Sequence, residues 1–394
     1  MLSRERLPLH RAAFIAVMTM SIVLLVLVTP VAAATTSVTV TKYADNNYSQ
    51  SVDSETLSLA ELQTLSSVYS NGPVYMQGPT FDSNDPWGNG GQNMIDYCEH
   101  NGSRVSSITD LVGGMSDGDE LKVQASDGMS HYFGYDNVYT PNACQGDMIV
   151  SWWDSEYGYV PSYNDGMRLF FYTPPSTYGV ADSLNLTLRD MQASFDPWYS
   201  YNYSQIWPSA KGLSVKYVQY LKIYPPHRYD FNTTGDTVEC AYEGGVTGVP
   251  GASTAPSTAF VSTANVAADD GVLHPTSIED DGEYAAQRFV FNVTEDAARI
   301  EILAVTWNGT GTNAGGTDGA DLYIWNGSSY ELLQGSTSSS EVTLSGEKTS
   351  SISDYINDGN VTVLVKQKSA SDGVDASTLA TDYVKLVVTH HHTN

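Results

Sequence analysis

Two Asp-Gly pairs, Asp117-Gly118 and Asp127-Gly128, bracket the hexapeptide Glu120–Ala125, in which Leu121, Val123 and Ala125 alternate with Glu120, Lys122 and Gln124. A period of two marks a strand with one buried face, and Asp-Gly is a strong tight-turn signal. The return strand then falls on Met129–Phe133. Upstream, Ile108, Leu111 and Val112 make an apolar stripe at helical spacing, and Ser107 and Asp110 have the spacing of a capping box. Gly113-Gly114 can supply the positive φ that ends a helix. Ser106 to Gly134 thus predicts one unit, a short helix, a double glycine and a hairpin, around which a first domain is organised.

The flanking segments read mostly as strands. Thr36–Tyr43, Met148–Trp153, Met167–Tyr172 and a segment from Gly212 to Tyr224 are strand-like, and Ser58–Leu65, with Ser58 and Glu61 as a capping box, predicts a short helix. Residues 244–262 carry no charge and are rich in Gly, Pro, Ser, Thr and Ala, the composition of a linker. Beyond them, Arg288–Val293, Arg299–Trp307, Asp321–Trp325, Glu341–Leu344, Asn360–Val365 and Asp382–Val388 are short β-branched runs separated by turn residues. That pattern predicts a β-sandwich of the jelly-roll kind. The expected organisation is a leader over 1–34, an α+β domain over 35–243, the linker, an all-β sandwich over 263–389, and a tail over 390–394.

Arg4, Arg6 and Arg11 precede an apolar run from Phe14 to Val28 and then Ala32-Ala33-Ala34, the layout of a secretory signal peptide. No later segment is apolar over a spanning length, so the mature chain is expected outside the cytoplasm. A net charge of −27 with only 18 basic residues argues against nucleic acid and anionic lipid as partners. Nine sequons, at Asn47, Asn101, Asn185, Asn202, Asn232, Asn292, Asn308, Asn326 and Asn360, suit a glycosylated exterior protein. Of three cysteines, Cys98 and Cys144 are the expected disulfide and Cys240 the remaining thiol, although spacing leaves other pairings open.

Candidate chemistry is sparse. Gly114-Met-Ser-Asp-Gly118 matches the nucleophile-elbow pattern, but it has a helix before it and a strand after it, the reverse of what that elbow needs. His100, His131, His227 and His274 stand alone, and His390-His391-His392 falls in the tail, expected to be disordered. Asp82, Asn84 and Asp85, and separately Asp318 with Asp321, could offer oxygens to calcium but lack the spacing of a calcium loop. The dispersed carboxylates do not single out a glycosidase pair. Trp152, Trp153 and Tyr157 lie in an aromatic-dense stretch and are candidate ligand-stacking residues, core packing being the competing role.

Three stretches, Asp110 to Met129, Asp165-Gly-Met-Arg-Leu-Phe-Phe and Lys211-Gly-Leu-Ser-Val-Lys-Tyr-Val-Gln-Tyr-Leu-Lys-Ile, resemble in order the oxidoreductase molybdopterin-binding (sulfite oxidase-like) domain. The chain also looks like surface proteins of methanogenic archaea that carry a β-sandwich behind this domain. The resemblance covers roughly Thr36 to Tyr224 and implies a compact α+β fold with mixed β structure. In the enzymes of that family a cysteine thiolate ligates molybdenum. The comparable stretch here, Tyr75-Met-Gln-Gly-Pro-Thr-Phe, has none. A molybdenum site without its sulfur ligand is chemically poor. The expectation is therefore a secreted, cell-surface protein without cofactor or catalysis, with envelope proteins or glycans as partners. The alternatives are a molybdopterin-dependent oxidoreductase and a carbohydrate-binding protein.

Overall fold

The computed structural model describes residues 34–70, 72–79, 94–143, 145–163, 165–172, 185–186, 195–232 and 238–394. Most of the leader, the loop with Asp82, Asn84 and Asp85, and Cys144 lie outside them. About half of the chain is strand, in several sheets, and the helices are one or two turns long.

The first unit is built on two sheets. One has the order Asn47–Ser58, Ser37–Ala44, Val218–Tyr224, Glu120–Ala125, Ser130–Gly134, with Ser37–Ala44 parallel to Val218–Tyr224. The other runs Gly158–Tyr159, Asp147–Asp154, His100–Arg104, Ser67–Tyr69, and Arg168–Tyr172 also pairs with Asp147–Asp154. Val38, Val40, Leu121, Val123 and Leu221 from the first sheet share one core with Val150, Trp152, Leu169 and Phe171 from the second. The helix–glycine–hairpin unit forms as its sequence predicts, with one change. The helix starts at Val105, after Arg104 and without a side-chain cap, so Ser107 and Asp110 do not form a capping box. Gly114 takes φ +67°, and a Cβ there would lie 2.9 Å from the Tyr139 hydroxyl. That hydroxyl in turn pairs with Thr109 (2.8 Å) and Asp110 (2.7 Å), pinning the turn.

The second unit is two antiparallel sheets over one core. The longest strands, Ile300–Thr312 and Ser377–His390, pair with each other, with His227–Asp230, His274–Ile278 and Val342–Lys348 completing the sheet. The facing sheet has the order Thr258–Ala259, Val238–Val246, Tyr284–Asn292, Asn360–Gln367, Ala320–Trp325, Tyr330–Ser336. Trp307, Val305, Leu386 and Val388 interdigitate with Phe289, Phe291, Val363 and Ile324 between them.

Two expected boundaries shift. The boundary at 243/244 falls inside the strand Val238–Val246, and the second unit already begins with His227–Asp230. The glycines there have a local cause: Gly244 and Gly248 take φ +157°, a backbone conformation that L side chains rarely adopt. The tail is not a loose end either. Residues 391–394 are held against the first unit, as the next subsection describes. Among the described residues, no helix is long and apolar enough to cross a membrane.

Candidate functional site

A cleft of about 510 Å³ opens between the two units. The turn carrying Asp117 and Asp119, the start of the helix Tyr135–Tyr139, Asp196 and Tyr199 line it from the first unit, and Glu301 and His391 from the second. Its floor is an amide pair. Asn137 donates to the Gln145 carbonyl (2.8 Å), Gln145 donates back to the Asn137 backbone oxygen (2.6 Å), and both are buried. Burial pushes the Asp119 carboxyl upward, although the Ser116 N–H (2.9 Å) and Lys42 (3.8 Å) act the other way. The walls therefore offer carboxylates, amides and phenols, a lining for a polar rather than an apolar ligand.

The tail closes this cleft. The Tyr199 hydroxyl meets His391 Nδ1 at 2.7 Å, and the other ring nitrogen of His391 meets Glu301 at 2.8 Å. Glu120, buried on the neighbouring strand, accepts from the backbone N–H of His392 (2.8 Å) and lies 2.6 Å from that histidine's Nδ1. The His392 ring stacks on Tyr132, 4.2 Å away and 7° from parallel. Asn394 completes the clasp: its amide accepts from Tyr132 N and donates to Tyr132 O, as a paired strand residue would. The tail histidines are thus interdomain ligands of carboxylates and phenols, which the spacing of a terminal His run did not signal.

The other sequence candidates separate cleanly. Trp152 belongs to the core, 3% exposed, its indole N–H bonded to Ser103 Oγ at 3.0 Å. Strand alternation turns Trp153 to the opposite face, where its ring lies 6.3 Å from that of Tyr69. Tyr157 is exposed, as is Tyr159, which Trp153 faces across the strand pair. The exposed aromatics here are therefore Tyr69, Tyr157 and Tyr159, with Trp153 half-buried against the core and the Tyr159 ring stacked on buried Trp152 at 5.8 Å. Cys98 is half-buried and Cys240 is exposed. Arg168, in the stretch that resembles the molybdopterin-binding family, is buried and committed to Asp165 (2.6 Å) and Ser214 (2.7 Å).

The sequons also divide. Asn202, Asn232 and Asn292 are exposed, and Asn47, Asn101, Asn326 and Asn360 are half-buried. Asn185 lies in a short strand beside Val74–Gln77. Asn308 is 8% exposed in the middle of a strand, with its amide nitrogen bonded to Asp269 at 2.7 Å. A glycan on that nitrogen does not fit this fold. Asp318 and Asp321 are committed elsewhere, Asp318 to the Asn313 N–H (2.9 Å) and Asp321 to Lys368.

The solitary histidines are structural. His100 is packed on Phe170 with ring centroids 4.0 Å apart, Nδ1 at 3.0 Å from Ser151 Oγ, and burial holds its pKa down at about 3. His131 is bonded to the Gly212 carbonyl (2.7 Å) and is likewise lowered by burial. His227 meets Glu295, and His274 lies 3.2 Å from Glu243 over the Phe260 ring.

Comparison with known proteins bears mainly on the second unit. Residues 236–390 match the family described as "Uncharacterized protein, C-terminal domain". That segment takes in both sheets except the strand His227–Asp230. A protein of Archaeoglobus fulgidus, described as an uncharacterized protein, is 37% identical over 109 residues, 26% of this chain. The chain spans only 18% of that relative's length. The CBM22-1 xylan-binding domain of Paenibacillus barcinonensis Xyn10C resembles 40% of this chain, and 96% of itself, at 12% identity and a TM-score of 0.19. A likeness that loose carries no argument about binding.

Two outcomes follow from this geometry. Deleting residues 391–394 leaves Glu120 buried without its histidine donors. The unfolding free energy should fall by roughly 1–3 kcal/mol in urea titrations at neutral pH, and an unchanged midpoint would show the clasp to be ornamental. His100 and His131 resist protonation in the folded chain, so below the ordinary histidine value of 6.5 the unfolded chain takes protons that the native one refuses. Stability is unaffected by these groups above that pH and is lost as pH falls toward 3. His100→Asn should therefore lose less stability between pH 7 and pH 5 than the parent, by about 2 kcal/mol in paired urea titrations. Equal losses would refute the assignment.

Proposed function

We propose that this chain is a secreted or surface-exposed binding protein with no catalytic role, and that the cleft between its units takes a polar, polyhydroxylated ligand such as an envelope glycan. The observation that carries the reading is the cleft itself. Its volume falls within the range of small-molecule sites, about 300–1,000 Å³. Carboxylates and amides make paired hydrogen bonds to vicinal hydroxyls, and Asp117, Asp119, Asp136, Asn137 and Gln145 line the cleft. The leader-like first residues, the exposed sequons and the strongly acidic composition support a place outside the cytoplasm.

We further infer that the first unit is a cofactor-free relative of the molybdopterin-binding fold. The order of short helix, double glycine and hairpin, and the parallel pairing of the first strand with the closing one, support that reading. So does the buried commitment of Arg168, which leaves that guanidinium unable to meet a pterin phosphate.

Two measurements decide between this reading and its rivals. Metal analysis and pterin fluorescence on protein from its native host should find neither molybdenum nor tungsten in stoichiometric amount. Finding either with pterin would make the first unit a redox enzyme. On a glycan array the full chain should bind a restricted set of glycans, and Asp136→Ala at the cleft should weaken that binding at least tenfold while Trp153→Ala leaves it unchanged. The opposite ranking would move the site to the surface aromatics, and no binding at all would sink the glycan reading.

A further inference from the structure

Away from the cleft, four distant stretches of the second unit converge on one spot. The turn after Ala267 brings Asp269, the strand Ile300–Thr312 brings Asn308, the start of the strand Val342–Lys348 brings Glu341, and the strand Ser377–His390 brings Asp382. The carboxylate oxygens of Asp269, Glu341 and Asp382 all lie within 4.8 Å of one another. A bulge produces the approach. Asn308 pairs with Tyr383 and Gly309 with Thr381, so Asp382 is the extra residue, aimed out of the ladder.

Asp382 is fully buried, yet its partners are backbone N–H groups, chiefly that of Gly271, 3.1 Å from both its oxygens. Among the described residues no Lys, Arg or His forms an ion pair with any of the three carboxylates. A second and independent observation comes from Asn308. This residue is 8% exposed, its nitrogen touches Asp269 at 2.7 Å, and its amide oxygen is buried with no hydrogen-bond donor among the described residues. An orphaned amide oxygen on the residue that holds Asp269, next to a carboxylate cluster with no ion-pair partner among the described residues, leaves more acceptors than the neighbouring donors satisfy.

We propose that Asp269, Asn308, Glu341 and Asp382 form a calcium site. The donor set is all oxygen, which selects a hard cation. Calcium–oxygen distances near 2.4 Å allow ligands up to about 4.8 Å apart across the ion, the spread found here. Asp269 and Glu341 are exposed, so the rim can admit the waters that complete a coordination number of about 6–8. Magnesium's shorter bonds and strict octahedron suit this irregular set less well. The site is independent of the cleft, and its failure would leave the proposed function untouched.

The test uses the full chain stripped with chelator. Millimolar calcium should raise the thermal midpoint and magnesium at the same concentration should not, and terbium luminescence should report one tight equivalent displaced by calcium. Glu341→Gln changes an exposed side chain and relieves repulsion, so in chelator it should be as stable as the parent or more so. It should bind calcium at least tenfold more weakly, and Asp269→Asn should do likewise. Calcium binding to the parent that survives both substitutions would place the ion elsewhere on the acidic surface and overturn the site. An absence of any calcium-dependent shift in the parent would overturn it equally.

Discussion

The antiparallel ladder between Ile300–Thr312 and Ser377–His390 is the interaction on which the rest of the molecule depends. Its inward residues, among them Leu303, Val305, Trp307, Val384, Leu386 and Val388, form half of the second core. His227–Asp230 and His274–Ile278 attach to the outer edge of Ser377–His390, so the entry of the chain into this unit is anchored there as well. The same strand then runs past its own sheet and delivers His391, His392 and Asn394 to Glu120, Tyr132 and Tyr199. A long strand propagates geometry because each residue adds a backbone bond to a partner already fixed. One element thus builds a core and sets how the two units meet.

Charge explains why the surface is so one-sided. Many of the few cations are used internally: Arg168 and Lys216 on Asp165, Arg228 on Asp45 and Asp230, Lys348 on Glu331, Lys368 on Asp321. Each fixes a loop or a strand end, and several are shielded from solvent, where such pairs hold geometry more than they add free energy. What faces water and the cleft is then an excess of carboxylates. Such a field repels polyanions and draws cations.

Much of the local structure was legible in the residues. Asp127-Gly128 turns where it should, Ser58 and Glu61 make the capping box their spacing predicts, and the β-branched runs after residue 284 are all strands. What failed was anything decided by side-chain facing or by distance along the chain. Trp152 and Trp153 are chemically alike, and only the pleat decides that Trp152 is buried in the core while Trp153 packs half-buried against its edge. Asn308 satisfies the sequon rule but sits at the centre of a sheet. The terminal histidines have no local hydrophobic pattern, and their partners lie between 90 and 272 residues away. The stretch around Gly244-Gly245 imitates a linker because Gly244 takes a positive φ within a paired strand, and composition cannot distinguish that need from flexibility.

The clasp and the cleft share one physical requirement. Glu120 alternates with inward apolar residues on a strand whose neighbours, Leu121 and Val123, are fully buried. A buried carboxylate is tolerated only where donors meet it, and the first unit supplies the backbone ladder and the nearby Tyr199 hydroxyl. The second unit supplies two, the backbone and the ring of His392, while His391 ties Tyr199 to Glu301 across the opening. Docking is therefore specified by polar satisfaction together with ring contacts such as Trp198 on His391 and Tyr48 on His227. The cleft walls come from both units, so their spacing is set by the same hydrogen bonds that neutralise the cost of burying Glu120.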